Sequence, residues 1–271
     1  MIKIKTGFSE LDKIIDISKP QLILLTGATL ADILSGDIAN NICLKQECEV
    51  LEIIHTRKEY LIQRMLVNES NVNYRKWNQE NRYTDEELER IGKSVVNLVG
   101  VTKRLPTIIE QNVNLYDLGK VAKFVLDYAN YYADREIVNT LIVLDIFPLS
   151  ELLKDRFTKR DRKEIIQLIK KLKNISHKLR CPIIVVDSID ISKKFNKQTY
   201  TYNYIMKDDI DNINIINKYV DTFIILNENE KKQEKANLNM GIFDIDVYDK
   251  NKKVGTCKLK YDYECRKFLN K

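Results

Sequence analysis

The chain has 271 residues, 44% of them hydrophobic and 31% charged, with a net charge of +6. That balance gives a folded chain with a sizeable core, excludes a disordered segment, and excludes a general nucleic-acid coat, so any such contact must rest on local basic clusters. No run approaches the ~18 apolar residues of a membrane span, and the start MIKIKTGFSELD has no apolar leader core. The five cysteines (Cys43, Cys48, Cys181, Cys257, Cys265) lack C-x-x-C spacing, which predicts a cytoplasmic protein with reduced thiols, no disulfide framework and no metal site.

Gln21 to Asn40, QLILLTGATLADILSGDIAN, reads as a buried strand running through a glycine turn into a helix. In a nucleotide-binding α/β chain this is the place of G-x-x-x-x-G-K-S/T, whose backbone N–H groups and lysine cradle phosphates. The turn here is Gly27-Ala28-Thr29-Leu30-Ala31-Asp32-Ile33-Leu34. The second glycine, the lysine and the hydroxyl residue are missing, and no lysine or arginine occurs between Lys19 and Lys45. Glu49 to His55 reads as a second strand, and Lys58 to Asn68 as a helix burying Leu61, Ile62, Met65 and Leu66. Thr84-Asp85-Glu86-Glu87 is a capping-box start, and Leu88, Ile91, Val95 and Leu98 follow at helical spacing. Leu118, Val121, Val125 and Tyr128 or Tyr132 mark another helix.

Thr140 to Asp145, TLIVLD, is a continuous apolar run ending in an acid, the pattern of a parallel strand buried on both faces. Ser150 to Lys163 is a charged stretch with six basic and three acidic residues. A helix follows with Ile165, Leu168, Leu172, Ile175 and Leu179 on one face, then a buried strand at Pro182 to Val186, with Asp187, Ser188 and Asp190 after it in a loop-capping role. Ser192 to Tyr204 reads as a polar, basic and aromatic loop. A strand at Thr222 to Leu226 and a charged loop at Asn227 to Lys235 precede strands at Ile242 to Tyr248, Gly255 to Tyr261 and Cys265 to Leu269. The alternation predicts one domain, a doubly wound, mostly parallel α/β sheet extended by C-terminal strands.

Seven stretches in order resemble the C-terminal motor domain of the DnaB-type replicative helicases, a RecA-like fold of the P-loop NTPases. They are TGFSELDKI from Thr6, Tyr60 to Leu66 (YLIQRML), Thr84 to Gly92, the Walker B-like strand Leu141 to Asp145, Leu172 to Pro182, Met206 to Phe223 with Asp209, Ile216 and Asp221 at matching spacing, and Gly255 to Leu259 (GTCKL). The resemblance spans 1–271. It implies an N-terminal domain and a linker helix ahead of the TGF entry. With only five residues before Thr6, the expectation is that both are absent and that a monomer or weak oligomer replaces a stable hexamer.

Carried over one position at a time, the resemblance places the phosphate-loop lysine and hydroxyl at Ile33 and Leu34, beside Asp32, and the water-polarising glutamate at His55. The magnesium-holding aspartate is Asp145. The γ-phosphate sensor falls on Ser188, an arginine on Asp211, and the pair that reaches a neighbouring subunit's nucleotide on Tyr248 and Lys250. Only Asp145 keeps its chemistry, with Lys250 a partial substitute. Phosphoryl transfer depends on positioned charge, and one lost preorganised donor costs ~10²–10³ in rate. The expectation is therefore a pseudo-ATPase with no cofactor, a binding or scaffolding module in DNA replication. The alternative is an active ATP-dependent helicase or translocase using ATP and magnesium through non-standard motifs.

Two stretches resemble the channel-facing connections of such motors and are candidates for single-stranded DNA. One holds Lys154, Arg156, Lys159, Arg160, Arg162 and Lys163; the other holds Lys193, Lys194, Lys197, Tyr200, Tyr202 and Tyr204. Cations that track a backbone and aromatics that stack on bases suit that ligand. A partner helicase or another replication protein is the other expected partner, while solvated surface loops in a Lys-rich chain are the plainer alternative.

Overall fold

Strand β1 (Leu22–Gly27) is buried along its length, because helices cover both faces of the sheet and a strand so placed has no wet side. Its residues alternate between two cores: Ile23 and Leu25 face one layer, Leu22 and Leu24 the other. The computed structural model describes residues 3–27, 30–46, 48–54, 57–77, 83–100, 106–110, 123, 127, 140–145, 159–188, 216, 218–228, 239–250 and 252–270. Within these, nine strands form one sheet in the order β3-β2-β4-β5-β1-β6-β7-β8-β9.

The parallel part comprises β1, β2 (Glu49–Ile54), β3 (Thr107–Glu110), β4 (Thr140–Asp145), β5 (Ile183–Ser188) and β6 (Thr222–Glu228). Strands β7 (Met240–Asp249), β8 (Lys252–Asp262) and β9 (Lys267–Asn270) extend it antiparallel past β6. This is the doubly wound sheet with terminal strands expected from the alternation. The four-residue edge strand β3 had no counterpart in that reading. Only its two adjacent central residues, Ile108 and Ile109, are partly buried, too short a run to register as a pattern.

Helix α1 (Ala31–Gln46) is buried on nearly every side, so its sequence lacks the one-sided apolar stripe of a surface helix. It packs Ile33, Leu34, Ile38 and Ile42 into one core with Phe8, Leu11, Phe243, Leu259 and Phe268. The other core is the Ile165, Leu168, Leu172 and Ile175 face of α4 (Lys159–Leu179) against β1, β2, β4 and β5. The last residues of the charged stretch, Lys159 to Lys163, thus belong to α4 and not to a loop. Lys and Arg have good helix propensity, so the helix extends upstream of its apolar face.

The TGFSELD entry has a physical explanation. Asp12 Oδ1 accepts from the Thr6 backbone N–H at 2.6 Å and from Thr6 Oγ1 at 2.7 Å. Gly7 sits at φ 85, with the Asn41 side chain where a Cβ would be.

Helix α2 (Lys58–Ser70) buries Leu61, Arg64, Met65 and Val67, while Ile62, expected inside, is exposed. Helix α3 (Asp85–Val99) starts with the expected capping box: Thr84 Oγ1 accepts from the Glu87 N–H, and Glu87 Oε2 accepts from the Thr84 N–H. Its buried residues are Ser94 and Leu98. Leu88 and Val95, which the spacing placed in the core, are exposed. Of the Leu118 to Tyr132 helix only Lys123 and Asp127 are described, both helical; the five residues named for it lie outside the described residues.

Candidate functional site: the filled phosphate-loop position

The carboxyl ends of the parallel strands lie side by side. Gly27 is the register partner of both Ser188 on β5 and Leu226 on β6, and Asp145 on β4 is the partner of Ile54 on β2. In a doubly wound sheet ligands bind in the crevice outside these ends. Gly27, Ser188 and Asp145 therefore stand at the same ends of neighbouring strands. Asp187 and Ser188 end β5 instead of following it. Asp187 is buried, and Thr26 Oγ1 donates to its backbone oxygen at 3.2 Å and to Oδ2 at 3.3 Å, a tie between β1 and β5.

Ile33 and Leu34 are 4% and 0% exposed and belong to the core on the α1 side of the sheet. The Leu34 N–H donates to Leu30 O at 2.9 Å, so it is closed within the helix. A Cβ on Gly27 would come within 2.7 Å of Leu226 Cβ. Burial pushes the Asp32 carboxyl above its ordinary range, and Asp32 Oδ1 has no hydrogen-bond partner. This position offers apolar bulk and an acid where a phosphate needs donors and a cation.

Beneath the helix start lies a feature that the sequence reading missed. The Arg64 side chain, 1% exposed, runs from α2 under α1; its Nη1 donates to Asp32 O at 3.4 Å and its Nε lacks a partner. Asp37, Asp32 and Glu52 surround it. Burial alone would lower the Arg64 pKa, and these carboxylates more than reverse that. Burial pushes Asp37 up to about 6 and Glu52 up to about 7, with Arg64 opposing both shifts and neighbouring acids adding to them.

Asp37 also ties three elements together, since its Oδ1 accepts from Asn68 Nδ2 at 3.0 Å and its Oδ2 from the Phe268 N–H at 2.8 Å. Asp145 is buried on the same face of the sheet and is close enough to Glu52 to raise it further. Signals for this cluster were present: Glu52 interrupts an apolar strand, and Arg64 sits between Leu61 and Met65 on the inward face of its helix.

Tyr248 and Lys250 lie at the other end of the sheet. Tyr248 pairs with Phe223 at the start of β6, ring centroids 5.9 Å apart. The Lys250 N–H donates to Asp221 O at 3.2 Å, in the turn between β7 and β8. Asp221 accepts from the Leu22 N–H at 3.0 Å and pairs with Lys173 Nζ at 2.6 Å. Within one chain, Tyr248 and Lys250 are thus separated from Gly27 and Asp145 by the length of the strands. Lys163 is exposed on α4, and Lys159, Arg160 and Arg162 are helical with side chains outside the description, as is the side chain of Ser188. His55, Lys154, Arg156, Lys193, Lys194, Lys197, Tyr200, Tyr202, Tyr204 and Asp211 lie outside the described residues.

Among the described residues, no group of three or more potential ligands could hold a metal ion, no helix is long and apolar enough to cross a membrane, and the five cysteines are buried and form no disulfide with one another.

Solved structures share this architecture. One solved ATPase domain aligns over 99% of this chain and 91% of its own, at 14% identity and TM-score 0.73. A DnaB-like replicative helicase, described with its interactions with primase, aligns over 99% of this chain and 62% of its own, at 15% identity and TM-score 0.75. A KaiC-like protein, PH0186 from the hyperthermophilic archaeon Pyrococcus horikoshii OT3, aligns over 99% and 98%, at 12% identity and TM-score 0.56. These likenesses are of fold. Curated protein sequences give no match. A family model for the DnaB-like helicase C-terminal domain matches residues 3–270. The chain therefore belongs to the DnaB-like helicase C-terminal domain family.

Proposed function

We propose that this chain is a nucleotide-free member of its family, a binding module of DNA replication that has given up ATP hydrolysis. The observation that carries the reading is the burial of Ile33 and Leu34 in the core where the resemblance puts the phosphate-loop lysine and hydroxyl. Asp32 adds a desolvated acid at the same helix start. Asp145 alone is a poor magnesium site, because that ion is normally held by one or two carboxylates together with substrate phosphates. The module's partners are a replication protein, of the kind that the helicase neighbour meets in primase, and single-stranded DNA at the basic stretches 154–163 and 193–204.

A thermal-shift titration with ATP and magnesium tests the reading. A ligand at 100 times its Kd stabilises the folded state by ~2.7 kcal/mol, which moves the melting temperature by several degrees. An unchanged melting curve is expected; a clear rise overturns the proposal. Fluorescence anisotropy with a single-stranded oligonucleotide across a salt series reads the second partner, and binding there should weaken steeply with salt.

A further inference from the structure

Helix α4 keeps its apolar residues against the sheet and turns a different chemistry outward. At about 100° per residue, Lys163, Gln167, Lys170, Lys171, Asn174 and Lys178 fall within one arc opposite Ile165, Leu168, Leu172 and Ile175. All six are exposed. Lys163, the adjacent Lys170 and Lys171, and Lys178 stand about 11 Å apart along the axis, a stripe of about 22 Å. Among the described residues none of these four lysines pairs with an acid. The margins of the arc are already engaged: Lys173 pairs with Asp221 at 2.6 Å, and Glu164, the one acid of the arc, has an interaction of its own. On other surfaces Lys13, Lys76, Lys93 and Lys253 each meet a carboxylate.

We infer that this face is a phosphate track for duplex DNA, distinct from the two stretches proposed above for single-stranded DNA except at Lys163, where the first of them ends. It holds whether or not the chain binds nucleotide. Lysine, glutamine and asparagine side chains all donate to phosphate oxygens. A protein-docking face is instead built on apolar and aromatic anchors and is depleted of lysine, and no large apolar side chain of α4 is exposed among the described residues. A helix lying on a membrane sinks its apolar side into lipid, and here that side is sheet core. A single strand is held by aromatic faces on which bases stack. Tyr219, the aromatic beside the arc, is half-buried and has Lys170 Nζ over its ring, 4.8 Å from the centroid. What remains is a backbone read by charge alone. Duplex DNA carries one negative charge per ~1.7 Å of axis, so a 22 Å stripe spans about 13 of them, ample for four lysines whatever the base sequence.

Fluorescence anisotropy on the full chain, with a duplex of about 20 base pairs and salt from about 50 mM to about 200 mM, tests the inference. Lys170→Gln with Lys171→Gln removes two phosphate contacts, which should lower the slope of log affinity against log salt by about 2 and weaken binding at the low-salt end about 10-fold. Lys13→Gln with Lys93→Gln takes the same charge from other surfaces and should leave the slope as it was. All four lysines are exposed, so an unchanged melting temperature separates lost contact from lost folding. A duplex that fails to bind at low salt overturns the inference, as does a control pair that acts like the α4 pair. A single strand that loses as much as the duplex does so too, since it would merge this face with the stretches 154–163 and 193–204. Polyglutamate that binds as tightly as the duplex would make the face an acidic-protein surface and likewise overturn it.

Discussion

Arg64 lies across Gly36. A Cβ built on that glycine would collide with the Arg64 guanidinium, so a residue without a side chain in mid-α1 is what lets a fully buried cation pass beneath the helix. Gly36→Ala sets two effects against each other. Alanine gains ~1 kcal/mol of helix propensity, whereas displacing a buried charge from its counter-ions costs ~3–5 kcal/mol. The second wins, and Gly36→Ala is expected to lower the chemical-denaturation midpoint by the equivalent of a few kcal/mol. An unchanged or higher midpoint would show that Arg64 can leave its seat freely.

Arg64 itself gives the complementary measurement. Asp37, Asp32 and Glu52 all act on its charge, and removing one partner of a buried ionic group leaves the others uncompensated at ~3–5 kcal/mol. Arg64→Met should therefore destabilise strongly. Arg64→Lys should rescue little of that, since an ammonium lacks the planar reach of the guanidinium to several acids at once. Equal stability of the Lys and native chains in a urea melt would remove the multi-partner account.

The pH dependence follows from the same cluster. Glu52 and Asp37 are held protonated by burial to about 7 and about 6, against ordinary values of 4.5 and 3.8. In that window the folded chain keeps protons that the unfolded chain has released. Their contribution to stability is complete below the ordinary values and is lost as pH rises through 6 and 7. A pKa that differs by one between the folded and unfolded chain is worth ~1.4 kcal/mol, so Glu52 alone accounts for up to about 3 kcal/mol, and the two do not add freely because they share Arg64. The melting temperature should rise on going from about pH 8 toward about pH 5.5. Glu52→Gln should flatten that slope and raise the melting temperature at the alkaline end. A slope unchanged by Glu52→Gln would place the titrating group elsewhere.

What the sequence made legible, and what it hid, divides along physical lines. Strands buried on both faces announce themselves as apolar runs, so β1, β4 and β5 were placed to within two residues. Thr84 and Glu87 fixed the start of α3 because capping is local. The inward face of α3 was misjudged because its sequence carries two apolar sides, and periodicity cannot tell which one the fold covers. The Arg64 cluster was missed for a different reason. Its acids lie 12 to 32 positions from Arg64, on α1 and β2 against α2, and their meeting depends on tertiary packing. The candidate site was legible as a strand, a turn and a helix. That Ile33 and Leu34 at the helix start form core is a fact of burial.

That burial supplies the last test. Restoring the phosphate-loop lysine by Ile33→Lys would rescue a merely substituted site. Ile33 is instead 4% exposed among Phe8, Ile38 and the C-terminal strands in one core. An ammonium placed there loses its hydration without a designed partner, and it gives up an isoleucine worth about 1.5–3 kcal/mol of burial. The nearest acid in sequence, Asp32, is itself desolvated and already influenced by Arg64. Ile33→Lys is expected to destabilise by several kcal/mol and to confer no ATP-dependent rise in melting temperature, alone or with Asp32→Gly and Leu34→Thr. A triple variant that kept the native melting temperature and gained a shift with ATP and magnesium would mean that the pocket persists beneath the substitutions.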